Sequence, residues 1–163
     1  MRSRTARNTT VARWGFKRDF SPAINNARDD KLSGRMWSKA WRERRCLIPA
    51  TAFYEWTGPK GMKSTHAIQP SDGEFMWMAG LWDENPEVGL CFTSITTTPN
   101  ATMKPIHNRM PVILTNNALS DYLNHEDPMD LMKPTTVSLT TFLCENPFVK
   151  SFVPGPPKAI KPA

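Results

Sequence analysis

Apolar residues along the chain fall mainly into short runs of strand length. Cys46 to Pro49, Ala52 to Trp56, His66 to Pro70, Phe75 to Trp82, Gly89 to Thr97 and Pro111 to Leu114 read as strands, with Thr136 to Leu139 as the last. Thr57 to Gly61 and Ser71 to Gly73 punctuate them as turns. Two stretches read as helix instead. Residues 33–45 place Met36, Trp37 and Trp41 at helical spacing with Lys and Arg on the remaining faces, and Ser33 stands where a cap would. Asn117 to Leu123 turns out of the strand before it. Arg13 to Phe16 is a short aromatic segment followed by a polar loop, Lys17 to Pro22. Strands outnumber helices and do not alternate with them, which argues against a parallel doubly wound sheet.

A chain of 163 residues fits one domain, here residues 13–153. A basic arm, 1–12, precedes it, and a tail with four prolines in residues 154–163 follows, either disordered or docked as extended chain. Six Trp and eight Phe supply a core, and the stripe of Met36, Trp37 and Trp41 is assigned to that core. No apolar run approaches the ~20 residues of a membrane span, so no membrane partner is expected. The arginines of the first ten residues have no apolar stretch behind them and are no secretory signal. A cytoplasmic monomer is the expectation.

Charge changes the picture by its placement. Residues 1–45 hold 13 Lys and Arg against 4 Asp and Glu, while the rest hold 8 against 11. Cations clustered in this way fit a polyanion such as nucleic acid, or simply a solvated basic face.

Three segments carry polar residues that a strand or a core does not require. Asn25 to Arg28 is one. Glu55 is a second, a carboxylate between bulky aromatics; alternation puts it on the face of Phe53, opposite Tyr54 and Trp56. A partly desolvated Glu near an imidazole suits general acid–base work, and a strand-end Glu paired with an Arg is the plain alternative. The third, Pro105 to Pro111, sets His107 and Arg109 between prolines; His107 can equally cap a turn and Arg109 bridge a carboxylate. Cys46 follows a charged run, yet as a strand residue it reads as buried. The scattered His and Cys show no metal-ligand spacing, and neither a metal nor another cofactor is expected.

Taken in order, these segments resemble the SOS-response-associated peptidase (SRAP) family. The resemblance rests on Arg13-Trp14-Gly15-Phe16, Asn26-Ala27-Arg28, Arg44 to Ala50 with Phe53 to Trp56, Ala79-Gly80-Leu81-Trp82, Thr96-Thr97 with Asn100-Ala101, and Ile106 to Pro111, and covers about residues 13–125. It implies a single compact α+β domain with a mainly antiparallel, β-barrel-like sheet and two or three helices. It also implies a groove for single-stranded DNA and abasic-site DNA. In the family, a cysteine exposed by removal of the initiator Met attacks the ring-opened aldehyde of an abasic site. Its thiol and α-amine then close a thiazolidine, and the same residues are tied to autoproteolysis of the amino-terminal segment. Carried over by motif, the catalytic residues are Asn26, Glu55 and His107. Asn26 would position the sugar or the amine, Glu55 would shuttle protons and His107 would assist ring opening. Trp14 would stack on a base, worth ~1–3 kcal/mol, and Arg28, Thr96 and Arg109 would bind flanking phosphates or orient those side chains.

Position 2 is Arg2, where the family has its cysteine nucleophile. No nucleophile is therefore assigned, and covalent crosslinking is expected to be lost or to depend on a missing amino-terminal segment. An active autoproteolytic crosslinker with an upstream start and an inactive mobile-element remnant are the alternatives.

Overall fold

The longest strand, β8 (Met76–Asn85), has apolar side chains on both faces because both faces are covered. Met76 and Met78 point into one apolar cluster with Ile68, Met103, Met110, Ile113 and Leu139. Ala79 and Leu81 point into another, with Phe16, Trp37, Trp41, Ile95, Val112 and Tyr122. The molecule is a computed structural model that describes residues 8–148 and 155–160.

Around β8 lies a seven-stranded sheet. It comprises β1 (Arg13–Trp14), β4 (Asn26–Arg28), β5 (Arg45–Ala50), β8, β9 (Gly89–Thr97), β10 (Met110–Pro111) and β11 (Ile113–Leu114). β5 and β9 flank β8 antiparallel, and β1 and β4 lie end to end, parallel, along the far edge of β9. A three-stranded antiparallel sheet of β6 (Phe53–Thr57), β7 (Ser64–Pro70) and β12 (Leu139–Cys144) covers one face, with β6 at its edge. Helices α1 (Ser38–Glu43) and α2 (Leu119–Asn124) cover the other. A hairpin of β2 (Phe16–Arg18) and β3 (Ser21–Ile24) completes the set. The expected α+β class holds, mostly sheet with two α-helices, and the sheets do not close into a barrel.

Residues 110–114 wedge between the splayed ends of β8 and β9. Met110 and Pro111 pair with Thr97 and Thr96 of β9, while Ile113 and Leu114 pair with Met78 and Trp77 of β8. Val112 bonds both, donating to the Ile95 carbonyl (2.8 Å) and accepting from the Ala79 N–H (2.9 Å). Tyr122 adds a hydroxyl bond to the Gly80 carbonyl at 2.7 Å. Gly80 itself is required by crowding, since a Cβ there would lie 2.5 Å from Ile48 Cδ1 and 3.0 Å from the Thr93 carbonyl oxygen.

Some local expectations are corrected. The helix expected over 33–45 runs only from Ser38 to Glu43. Turn bonds around Gly34 precede it, its cap position is Trp37 without a side-chain bond, and Ser33 caps nothing. Pairing with β8 takes Arg45 into β5, which ends the helix. The aromatic stripe does go inside, with Trp37 and Trp41 buried. The loop Lys17 to Pro22 is part of the β2–β3 hairpin. The last strand begins at Leu139, not Thr136, because β7 pairs with Leu139 to Cys144. Residues 155–160 of the tail lie along β12, with Ile160 donating to the Leu143 carbonyl at 2.9 Å. Residues 1–7 of the arm and 161–163 of the tail lie outside the described residues, and 8–12 form no strand.

Candidate active site

Glu55 sits at the centre of β6, the edge strand of the smaller sheet. Alternation turns it to the same face as Phe53, which packs into the methionine-rich cluster between the sheets. His107 arrives from the turn that leaves β9. That turn is seated by Met103, which is fully buried and whose carbonyl accepts the Ile106 and His107 N–H groups, both at 2.9 Å. Asn100 closes it by accepting the Met103 N–H at 3.0 Å. His107 Nδ1 thereby comes to 3.7 Å from Glu55 Oε1. The same nitrogen lies 3.0 Å from the Arg109 carbonyl and 3.2 Å from its N–H. Burial lifts the Glu55 carboxyl above its ordinary range, and the charge of His107 opposes that lift. A carboxylate and an imidazole at this spacing can exchange a proton once a substrate or a water draws them together.

The remaining sequence-assigned residues surround the end of β9. Ala27 of β4 is buried in the helix-side cluster, so its neighbours Asn26 and Arg28 project from the opposite face of the seven-stranded sheet. Among the described residues, Asn26 makes no hydrogen bond to Glu55 or His107. Arg28 is exposed and forks onto Asp30 through Nε and Nη2, both at 2.9 Å. Thr96 is buried, pairing with Arg28 on one edge and Pro111 on the other. Arg109 is turned inward. Its Nη2 meets Asp29 Oδ1 at 2.6 Å and donates to the Thr96 carbonyl. Trp14 stands half-exposed on β1, its Nε1 held by the Asn25 carbonyl at 3.0 Å. The basic excess is partly consumed within the fold, since Lys17, Arg18, Arg28 and Arg44 are all ion-paired.

Sequence reasoning missed Asp29 and His66. Asp29 lies just outside the Asn26-Ala27-Arg28 motif, and only the structure shows its contact 80 residues away. His66 pairs across strands with Glu55, and its Nε2 lies 2.9 Å from Thr57 Oγ1. The strand reading had already placed it on β7, but register could not be read from one chain. Of the cysteines, Cys46 has its thiol pushed up to about 12 by burial, so it offers no thiolate near neutral pH. Burial raises Cys91 and Cys144 as well. Among the described residues no three His, Cys, Asp or Glu side chains cluster as metal ligands, and no helix is long and apolar enough to cross a membrane.

Known proteins are similar to this chain in sequence and fold. Abasic site processing protein YoqW of Bacillus subtilis is 40% identical over 118 residues, covering 68% of this chain and 52% of that protein. Abasic site processing protein HMCES of Xenopus tropicalis is 32% identical over 114 residues, covering 55% and 34%. A crystal structure of a protein from Bacteroides thetaiotaomicron superposes with a TM-score of 0.67 at 28% identity, covering 77% of this chain and 60% of that one. One from Bordetella bronchiseptica gives 0.66 at 26% identity, covering 74% and 65%. The chain spans about half the length of curated relatives such as YoqW. The SOS response associated peptidase family model matches residues 1–144, and the chain belongs to that family.

Proposed function

We propose that this chain binds single-stranded DNA at abasic sites and that Glu55 and His107 move protons at the lesion. One observation carries the reading: a carboxyl lifted by burial faces the His107 imidazole at 3.7 Å. Proton transfer to and from a sugar oxygen or an attacking amine needs such a pair. Asn26 positions the sugar or the amine. Trp14, half-exposed beside it in the sheet, is a stacking platform, and the exposed Arg28 takes a flanking phosphate. Thr96 is buried and the Arg109 side chain only partly exposed, which suits orienting neighbours better than touching phosphate. Three free cysteines fit a reducing compartment, in keeping with a cytoplasmic monomer.

The family's thiazolidine needs a thiol and an α-amine on one carbon. Position 2 is Arg2, and Cys46, Cys91 and Cys144 are internal, so the 163 residues bind without a stable crosslink. A second reading is an active crosslinker whose nucleophile lies in residues beyond these 163, since the chain spans only 52% of YoqW.

Binding and chemistry are tested separately. Fluorescence anisotropy with an abasic oligonucleotide should show binding that weakens with salt, each phosphate contact contributing roughly 0.7 to the log–log slope. Salt-independent binding, or none at low salt, overturns the DNA reading. Denaturing electrophoresis should show no heat-stable adduct with the 163-residue chain. Prefixing a family amino-terminal segment that begins with Cys after Met removal should give one.

A further inference from the structure

We infer that Asp29 is a positioning residue for the Glu55–His107 pair and acts on it through Arg109; this deepens the proposed function and rests on its reading of that pair. The connection is a continuous chain of polar contacts. Asp29 Oδ1 takes Arg109 Nη2 at 2.6 Å, and Oδ2 takes the Thr97 hydroxyl at 2.7 Å. Arg109 also donates to the Thr96 carbonyl, and its own backbone carbonyl and N–H both meet His107 Nδ1. His107 Nδ1 in turn faces Glu55. Topology explains why this strap is needed. β4 and β10 lie on opposite edges of β9 and meet only across Thr96, so no ladder bond joins them directly. Asp29 follows β4 and Arg109 precedes β10, and their ion pair crosses over β9 to tie the two. With both side chains 16% exposed, water competes poorly for the pair. Burial alone would raise the Asp29 carboxyl, but bonds from Arg109, Thr97 and the Asp30 N–H outweigh it and hold it below its ordinary value. The strap is therefore ionised through neutral pH.

The next residue provides the control. Asp30 pairs with Arg28 by an ideal fork, yet the two side chains are 47% and 56% exposed. That pair is solvent-exposed and, among the described residues, makes no hydrogen bond to His107, and a DNA phosphate can replace the carboxylate at the same fork. Consecutive aspartates thus do different things.

The experiment records the imidazole ring signals of His107 by NMR in the 163-residue chain, together with affinity for single-stranded abasic DNA. Asp29→Asn keeps the shape, removes the charge and should move the His107 ring signals, whereas Asp30→Asn should leave them in place. Asp30→Asn should instead raise DNA affinity, by no more than about threefold, because Arg28 is released. Asp29→Glu should return the ring signals toward the starting position. If Asp29→Asn fails to fold, Arg109→Lys keeps the charge, loses the planar fork and should displace the same signals. Unchanged His107 signals in a folded Asp29→Asn or Arg109→Lys protein, or an equal shift in Asp30→Asn, overturns the inference. Absence of DNA binding with the expected His107 shifts leaves the strap standing and removes only the DNA reading.

Discussion

Asp83 on β8 and Glu55 on β6 are buried to a similar degree, with side chains 18% and 22% exposed, so burial does not distinguish them. Their partners do. Asp83 receives Arg18 Nη2 at 2.8 Å, Arg44 Nη1 and the Glu84 N–H at 3.0 Å. Both arginines are further fixed over rings, Arg18 on Phe16 and Arg44 on Trp82. Bonded to two arginines, this carboxylate staples the β2–β3 hairpin and the start of β5 to the central strand. Glu55 faces the titratable His107 at 3.7 Å and lies against an apolar cluster. A carboxyl left short of cations and lifted by burial can serve as proton donor as well as acceptor. The comparison shows that a fold makes a proton carrier chiefly by withholding partners.

Chemistry gives the comparison its widest separation. In a chain carrying a cysteine-led amino-terminal segment, Glu55→Gln should slow crosslinking to abasic DNA by about 10²–10⁴-fold, the usual share of general acid–base catalysis. Asp83→Asn should leave that rate unchanged once equal amounts of folded protein are compared. Time courses on denaturing gels measure both, and equal slowing by the two substitutions would erase the distinction.

Stability should reverse the order. Asp83→Ala leaves Arg18 and Arg44 partly buried without their carboxylate and should cost about 1–3 kcal/mol. Partial exposure of the arginines places the value toward the low end. Glu55→Gln should cost nothing at neutral pH. Urea denaturation with a constant slope decides it.

The sequence made one half of this contrast visible. Glu55 and His107 stood out because strand alternation and the prolines around His107 made them needless for packing. The strands β5, β6, β8 and β9 were legible for a related reason, since each is a short β-branched or aromatic run between turns. Asp83 gave no such signal, because its partners come from 65 and 39 residues away. Asp29 was hidden for the same reason. The shortened α1 and the late start of β12 were set by pairing with β8 and β7, a long-range effect that local propensity does not contain.

The smallest effect is the pH dependence that Glu55 gives to stability. Its folded pKa lies above the unfolded value, with burial the larger cause and His107 opposing it. Below the unfolded value the carboxyl is protonated in both states and contributes nothing. As pH rises past that value the unfolded chain ionises first, while the folded chain keeps its proton, so ionisation favours unfolding. The loss grows until pH passes the folded value and is constant above it, at about 1.4 kcal/mol for each unit separating the two. Asp29 runs the other way, since its lowered carboxyl stabilises the fold from the ordinary aspartate range upward. A single denaturation profile mixes these slopes. Subtracting the profile of Glu55→Gln, in which position 55 does not titrate, cancels Asp29 and the other groups that do not interact with position 55. The stability of the parent minus that of Glu55→Gln should fall from the ordinary glutamate range upward and then level. A difference that rises with pH in that window would mean the carboxylate is held by a cation as Asp83 is, and the two sites would no longer be different in kind.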